Sequence, residues 1–347
     1  MALSIAIRPG GEHHGVDADV WQVRGPLGEL TSEIVRLFVL DSRYDSLIEA
    51  TGVSHEEMAA YRCSKLAEPG GVLLVAERAG RLEGLLFMTP EGLQSAVLGH
   101  YIWSIRQLVI APGASSGTAG ALIATALRHL DAPVDCIVAR VPARDPAAIC
   151  GLQEQGFEAS GSEVVGVLQC RERPVGEPTH MKIVPLHQRY LGEAADLIRR
   201  NGDCVCCPSA AWMKTSRVNR LYQCLLAGYV EQPRAGGLVA EDPAGEVRGF
   251  LTYRRRIWLG EFTRRNLASL DFFGVHPDLK SNGVGEVLHR HALSALQAES
   301  VDAVEVRTSV ASPDAARRLE MLKKLGCGAF SSDLIFQRWL NRGASLC

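Results

Sequence analysis

The 347-residue sequence predicts an α+β protein built from two similar domains in tandem. Three observations support this prediction. The chain is longer than one average domain. A pattern of strand, proline turn, glycine-containing loop and helix occurs twice, and each copy is followed by another strand and a helix that ends at a glycine. With 47% hydrophobic and 22% charged residues, the chain resembles ordinary globular proteins and differs from disordered, collagen-like or coiled-coil chains.

The two copies of the pattern cover residues 105–127 and 270–293. Ile110 and Val275 occupy equivalent positions, so the offset is 275 − 110 = 165 residues. The helix that follows each copy contains a proline and ends at Gly156 in the first half and at Gly326 in the second. A polar N-cap residue, a proline at the first helical position and a glycine beyond the end are typical helix boundaries. They predict a helix that starts at Ser312 in the second half.

Upstream of the loop, each half has two helical stretches followed by two strands that we expect to pair in antiparallel fashion. The predicted helices cover 30–40, 56–66, 191–200 and 215–230, and the strands 72–77, 84–88, 237–241 and 249–254. Each half therefore predicts a mixed, mostly antiparallel sheet flanked by helices. A polar, proline-rich stretch between the halves predicts domains at 1–172 and 181–347, joined by a linker at 173–180.

Charge gives no reason to expect a nucleic-acid or membrane partner. The chain has 37 Lys and Arg residues against 39 Asp and Glu residues, a formal net charge of −2. No leader pattern is found, and no apolar run reaches the roughly 18 residues that span a bilayer. We expect a cytoplasmic protein. The clustered Cys204, Cys206 and Cys207 lack a second Cys/His pair at zinc-finger spacing, which favours free thiols over a metal or redox site.

The segment from Lys280 to Gly285 reads Lys-Ser-Asn-Gly-Val-Gly and lies between a predicted strand and a predicted helix. Consecutive backbone N–H groups and the positive end of the helix can converge on a diphosphate there. The alternative interpretation is a tight turn with no ligand.

Val275, Pro277, Lys280, Gly283 and Gly285 match, in order, the acetyl-CoA loop of the GNAT N-acetyltransferase superfamily, which the second half resembles. Lys280 stands where the family usually has arginine, so the charge is kept and the bidentate fork is lost. The resemblance implies two strands that splay apart after a bulge, with the pantetheine of acetyl-CoA paired along β-strand backbone and the Val275 N–H on the oxyanion. The cofactor residues it implies are Phe273, Gly274, Val275, Lys280, Ser281, Asn282, Gly283, Val284, Gly285, Glu286 and Ser312.

The first half fits this loop less well. Ile110, Pro112, Gly117 and Ala119 align with the family pattern only if one residue is missing, and no basic residue occupies the position of Lys280. We expect a structural GNAT-like domain there. A second working cofactor site is the alternative.

For the chemistry, the resemblance implies a tyrosine on the last helix that protonates the departing thiolate, but that position holds Leu322. Tyr253 is the substitute candidate for this acid. Asp271 is the candidate base; strand alternation places it on the same face as Phe273 and Val275, and a structural acid is the alternative.

Residues 139–165 and 306–339 are similar to GNAT enzymes that acetylate a nucleotide-linked amino sugar. The predicted function is therefore acetyl-CoA-dependent acetylation of a primary amine, with such a sugar as the first candidate acceptor. The predicted reaction needs no metal, and a homodimer is one of the assemblies considered. Arginines 254–256, beside the predicted acceptor entrance, could bind a substrate diphosphate or lie on a solvated strand end. The rival interpretation is a non-catalytic tandem protein that binds acyl-CoA or a protein partner.

Overall fold

The computed structural model describes residues 18–23, 27–28, 30–115, 117–130, 133–170, 180–201, 213–279, 282–310, 312 and 314–340. Apart from His180, the predicted linker lies outside the described residues, and so do the Cys204 to Cys207 cluster, Lys280 and Ser281. The chain forms two compact units. Unit 1 comprises Met1–Tyr44, Ser54–Ser160 and Asp333–Cys347, and unit 2 comprises Asp45–Val53 and Gly161–Ser332.

Unit 1 contains a sheet in the order β1-β2-β3-β4-β5-β12, in which only β4 and β5 run parallel. Its strands are β1 (Asp19–Val23), β2 (Val72–Arg78), β3 (Arg81–Pro90), β4 (Ile102–Ile110), β5 (Cys136–Pro142) and residues 333–339 of β12 (Gly328–Trp339). Its helices are α1 (Leu30–Leu40), α3 (His55–Lys65), α4 (Gly92–Leu98), α5 (Thr118–Arg128) and α6 (Pro146–Glu154).

Unit 2 repeats this plan, with strands in the order β6-β11-β10-β9-β8-β7 and a parallel pair formed by β10 and β11. Its strands are β6 (Glu158–Gln169), β7 (Lys182–Pro185), β8 (Ala235–Glu241), β9 (Val247–Arg255), β10 (Leu267–Val275) and β11 (Ala303–Ser309). Its helices are α2 (Asp45–Thr51), α7 (Leu191–Asn201), α8 (Thr215–Glu231), α9 (Ile257–Thr263), α10 (Val284–Ala298) and α11 (Ala315–Lys324).

The predicted α+β class, the mixed sheets and the tandem arrangement are confirmed. The units differ from the predicted domains in their last strands: β6 pairs with β11 in unit 2, and β12 pairs with β5 in unit 1. A division along the chain assigns each strand to the half in which it occurs, whereas hydrogen bonding assigns it to the sheet edge that it completes.

Local sequence explains several helix boundaries. Ser54 and Glu57 form a capping box at the start of α3, and Asp145 accepts a hydrogen bond from the Ala148 N–H ahead of α6, with Pro146 at the first position. α11 begins at Ala315, with Asp314 as its N-cap residue, which is later than the start predicted at Ser312. The Ser312 hydroxyl donates to the backbone carbonyl of Asn201 at 3.2 Å and accepts from the Asp314 N–H at 3.4 Å.

Apolar side chains cover both faces of the unit 2 sheet. On one face β9, β10 and β11 pack against α10 and α11, with Leu270, Val275 and Leu288 in this core. On the other face α7 and α8 pack over β8 and β9, with Tyr229 and Phe250 buried between them. We call these the α10 face and the α8 face.

The parallel strands of unit 2 separate part-way along their length. β10 pairs with β11 from Leu267 to Leu270 and no further, and its register with β9 shifts between Leu270 and Phe273. This shift is a β-bulge, and the extra residue bends the strand out of its pairing. Beyond Leu270 the edges of β10 and β11 therefore face a gap, as predicted for the splayed pair. Unit 1 has the same feature, because β4 and β5 pair only over Ile102–Ile105.

Among the described helices, none combines the length and hydropathy needed to cross a bilayer.

Candidate functional site

Unit 2 contains a cavity of about 320 Å³ between the end of β10, the start of α10 and α11. Five of the predicted cofactor residues line it: Phe273, Val275, Gly283, Gly285 and Glu286. The glycines that predicted a binding loop thus form part of one wall of this cavity. The opposite wall, α11, was not predicted as part of the site.

The first turn of α10 is open toward this cavity. Gly283 is the N-cap residue and has a left-handed backbone with φ +75°, which side chains other than glycine adopt at a cost. Gly283 has no side chain with which to cap the helix, and within the described part of the chain a Cβ at Gly283 would meet nothing within 4 Å. The first N–H groups of α10 have no partner within the helix, so they can bind an anion.

An aromatic floor lies under this turn. A Cβ on Gly285 would lie 2.9 Å from Cζ of Phe273, so only glycine allows the helix to approach the ring so closely. The ring of His289 packs against Phe273 with centroids 4.8 Å apart, and the guanidinium carbon of Arg318 lies 4.8 Å from the Phe273 centroid. These contacts fix the position of Phe273.

His289 is neutral in this environment. Burial, and then the charge of Arg318, lower its pKa to about 3, although the bond to the Gly285 carbonyl opposes the shift. Because a carbonyl can only accept, the neutral ring donates its Nδ1–H to Gly285 O at 2.7 Å. The sequence signal for His289 was its position four residues after Gly285, on the same side of the helix.

Cationic side chains from α11 surround the cavity. Arg317, Arg318 and Lys324 line it, together with acidic residues of the same helix. Arg317 lies 3.9 Å from Asp314 and Lys324 lies 3.3 Å from Glu320, and all four side chains are solvent-accessible. Such exposed pairs are weak, so an incoming anion can compete for the cations.

The remaining predicted cofactor residues have other positions. Gly274 pairs with Phe250 on β9, Val284 is buried in the core, and the Asn282 N–H donates to Leu279 O at 3.0 Å. The Ser312 hydroxyl donates a hydrogen bond to the backbone carbonyl of Asn201, which is itself a cavity residue.

The backbone of Val275 faces the gap. The next residue, His276, donates its N–H to Arg248 O of the neighbouring β9 segment at 2.8 Å. Successive residues of a strand point their backbone groups to opposite edges, so the N–H and C=O of Val275 point away from β9. The C=O accepts a hydrogen bond from Asn201 Nδ2 at 3.2 Å.

The predicted face of Asp271 is wrong. The bulge places Asp271 and Phe272 together on the α8 face, whereas Phe273 and Val275 pack on the α10 face. Asp271 Oδ2 accepts a hydrogen bond from the Tyr229 hydroxyl at 2.6 Å. Alternation of side chains fails wherever a bulge adds one residue.

Tyr253 and Asp271 are not brought together. Tyr253 packs on the α10 face, and a Cβ on Gly236 would lie 2.7 Å from its hydroxyl oxygen. Burial, and secondarily the charge of Glu299, raise the pKa of Tyr253. Tyr253 is not among the cavity residues.

Buried carboxylates brace β11 beside the gap. The Glu305 carboxylate forms ion pairs with Arg256 at 2.7 Å and with Arg307 at 2.9 Å, and Arg307 also pairs with Glu163 at 2.5 Å. Burial alone would raise the pKa of Glu305, but the charges of Arg256 and Arg307 lower it to about 2. Glu305 is therefore ionised, and it ties the end of β9 to β11.

Residues 205–326 match the model of the Acetyltransferase (GNAT) family. This match lies within the second half of the chain and covers about a third of its length. No curated protein sequence matches this chain.

Solved structures share the fold across both halves. A tandem GNAT protein from the clavulanic acid biosynthesis pathway is 18% identical with a TM-score of 0.54, and the match covers 93% of this chain and 98% of that one. A GCN5-related N-acetyltransferase from Sphaerobacter thermophilus is 15% identical with a TM-score of 0.59, over 93% and 96% of the two chains. At such identities the likeness shows the tandem GNAT fold, and it does not support the narrower likeness to dTDP-fucosamine acetyltransferase.

Unit 1 has the same gap between its two parallel strands, but one of its own side chains occupies this gap. Arg43 donates from Nη1 to Arg106 O at 3.0 Å on β4 and from Nη2 to Arg140 O at 3.1 Å on β5. The two carbonyls belong to the residues just beyond the last parallel pair, Ile105 and Ala139. The Arg43 guanidinium thus bridges the strands where they begin to separate.

The helices of unit 1 are also closed over the corresponding loop. A Cβ on Gly151 of α6 would lie 2.5 Å from the Ala119 Cβ of α5, so these helices touch at their backbones. The Glu154 carboxylate lies 3.2 Å from the place of a Cβ on Gly120, in the first turn of α5. A carboxylate there repels a phosphate.

We predict that Gly285→Ala destabilises the protein by about 1–3 kcal/mol, because the added methyl would overlap Phe273 in a packed site. Urea unfolding measures the change. Gly192→Ala is the matched control: a Cβ there makes only an ordinary contact with Gln223, and alanine favours the helix. Equal stability of the two variants would contradict the close packing of Gly285 on Phe273.

We predict that Glu305 makes unfolding pH-dependent. A carboxylate with a lowered folded-state pKa stabilises the protein above its ordinary pKa of 4.5, and this contribution is lost as the pH falls toward about 2. Glu305→Gln should cost about 3–5 kcal/mol at pH 7, because it removes a buried ion-pair partner, and should flatten the dependence between pH 4.5 and 2. Urea unfolding at several pH values tests this, with the half-exposed Glu299→Gln as control. An unchanged pH slope in Glu305→Gln would refute it.

Proposed function

We propose that unit 2 transfers an acetyl group from acetyl-CoA to a primary amine. The observation that carries this proposal is the gap between β10 and β11, which lies beside a cavity with a glycine-started helix on one side and cationic side chains on the other. A fold shared with tandem GNAT proteins supports the same reaction class.

The residues present fit an acyl-CoA. The open first turn of α10, with Arg317, Arg318 and Lys324, would hold phosphates, and Lys280 is proposed to add a further cation. The Val275 backbone, pointing into the gap, would pair with the amides of pantetheine, as an added strand does. Acetyl-CoA supplies an acetyl group already activated as a thioester.

Asp271 is the proposed base. It follows Leu270, the last β10 residue paired with β11, so it lies where the gap begins. Its side chain is 27% exposed, which leaves it accessible to an amine. The carboxylate would take a proton from the acceptor ammonium, and the Val275 N–H would stabilise negative charge on the acetyl oxygen.

A nucleotide-linked amino sugar is the proposed acceptor class. The arginines near Asp271 support it, since Arg254 lies 3.7 Å from the Asp271 carboxylate. A glucosamine N-acetyltransferase region of a fungal multi-domain GH3 β-N-acetylglucosaminidase has a related fold, with a TM-score of 0.59, 13% identity and coverage of 94% of this chain and 38% of that one.

Unit 1 is proposed to be structural. Arg43 takes the place between the strands that a pantetheine would need, and Glu154 stands where a diphosphate would bind. Arg106 occupies the bulge position equivalent to Asp271 and pairs with Glu91 at 2.8 Å, so unit 1 has a cation where unit 2 has its proposed base.

We predict that the purified protein releases free CoA thiol from acetyl-CoA in the presence of a primary amine. The panel contains glucosamine, glucosamine 6-phosphate and a nucleotide-linked amino sugar, with N-acetylglucosamine as the blocked control. Asp271→Asn should lower kcat by about 10²- to 10⁴-fold, the usual contribution of a general base. Acetyl-CoA binding without transfer to any amine would favour the non-catalytic interpretation.

We predict that calorimetric titration with acetyl-CoA gives one site per chain. Lys280→Ala should weaken binding by about tenfold, since a charged hydrogen bond to phosphate contributes about 1.5–3 kcal/mol. Lys182→Ala, an exposed change on β7, is the matched control. Two sites would contradict the closed cleft of unit 1, and unchanged affinity in Lys280→Ala would contradict the loop assignment.

A further inference from the structure

The buried side chain of Tyr229 contacts the carboxylate of Asp271. It lies near the end of α8, is 3% exposed, and donates its hydroxyl hydrogen to Asp271 Oδ2 at 2.6 Å. Its ring packs edge-on against Phe272 with centroids 5.8 Å apart. Because the ring is enclosed, water cannot readily replace this hydrogen bond.

Arg254 completes the arrangement. Its guanidinium carbon lies 4.7 Å from the Tyr229 ring centroid, and its Nε lies 3.7 Å from Asp271 Oδ2. The tyrosine and the arginine therefore approach the same carboxylate oxygen. Neither of these two contacts involves the second oxygen, Oδ1, which is the one proposed to meet an acceptor.

The arrangement is specific to unit 2. At the equivalent bulge of unit 1, Arg106 bonds Thr89 Oγ1 at 3.1 Å and Glu91 at 2.8 Å. A bulge alone therefore does not require a tyrosine–carboxylate pair, and stabilisation of the bulge does not explain Tyr229.

We propose that Tyr229 is a positioning residue for acetyl transfer, which aims Asp271 Oδ1 at the acceptor amine. This inference rests on the proposed function. The acceptor ammonium loses two protons: Asp271 takes the first, and the second ends on sulfur. The neutral amine forms the C–N bond at the acetyl carbon, the C–S bond breaks, and the sulfur leaves with the electron pair as the thiol.

Two variants test the proposal by kinetics with acetyl-CoA and glucosamine, or with whichever amine of the panel reacts fastest. Tyr229→Phe removes the hydroxyl and keeps the ring. We expect kcat to fall by roughly 10- to 100-fold, the effect of losing a hydrogen bond to a charged group, while the Kd for acetyl-CoA stays within about twofold. The KM for the amine should change much less than kcat, because the variant loses the aim of the carboxylate and keeps the binding contacts. Arg254→Gln, which removes the other described neighbour of Oδ2, should lower kcat in the same way.

Tyr190→Phe is the matched control, since it also removes a buried tyrosine–carboxylate bond in unit 2, to Glu241. It should lower the melting temperature without changing kcat. If Tyr229→Phe lowers only the melting temperature, with kcat unchanged, Tyr229 is structural and the inference is wrong while the proposed function stands. If the parent protein transfers acetyl to no amine, the proposed function fails and the inference fails with it.

Discussion

The site in unit 2 depends on the bulge at Asp271 and Phe272. This irregularity shifts the register of β10 against β9 and coincides with the end of its pairing with β11 at Leu270. It also puts two consecutive side chains on the α8 face. A regular strand would keep its hydrogen bonds to β11 and turn Asp271 toward the α10 face. The gap and the position of the carboxylate therefore have one cause.

The bulge also separates two kinds of chemistry. On the α10 face, the start of α10 and the cations of α11 surround a floor made by Phe273 and the neutral His289. On the α8 face, Asp271 meets Tyr229 and Arg254. A phosphate-binding region and a proton-accepting region beside each other would perturb one another, since charges interact strongly at short range in a protein interior. In the proposed function the two regions lie on opposite faces, which limits this effect, and the strand gap is the proposed route by which one ligand reaches both.

The sequence predicted the repeated features and missed those that depend on contacts distant in the chain. Hydrophobic periodicity and helix caps located the main elements, and the glycines at 283 and 285 located the wall of the cavity. Alternation could not reveal the bulge, so Asp271 was assigned to the wrong face and Tyr229 was missed, 42 residues away on α8. Tyr253 was predicted because it lies on the strand next to the splayed pair, yet it packs on the α10 face. The exchange of β6 and β12 was also hidden, because strand order along the chain does not specify pairing.

A comparison of the two units shows that the same strand gap can be bridged by a side chain or left open. Strands that separate expose backbone carbonyls, and leaving such groups buried without a donor costs about 1–3 kcal/mol each. A ligand can supply the donors, or a side chain can. In unit 1 Arg43 serves both Arg106 and Arg140, and Arg62, paired with Asp41 at 2.5 Å, holds the adjacent Gln107. In unit 2 the described bond to Val275 O comes from Asn201, whose own position borders the cavity and leaves the gap open. The arginine that satisfies the carbonyls of the unit 1 gap is thus the same side chain that is proposed to exclude a ligand from it.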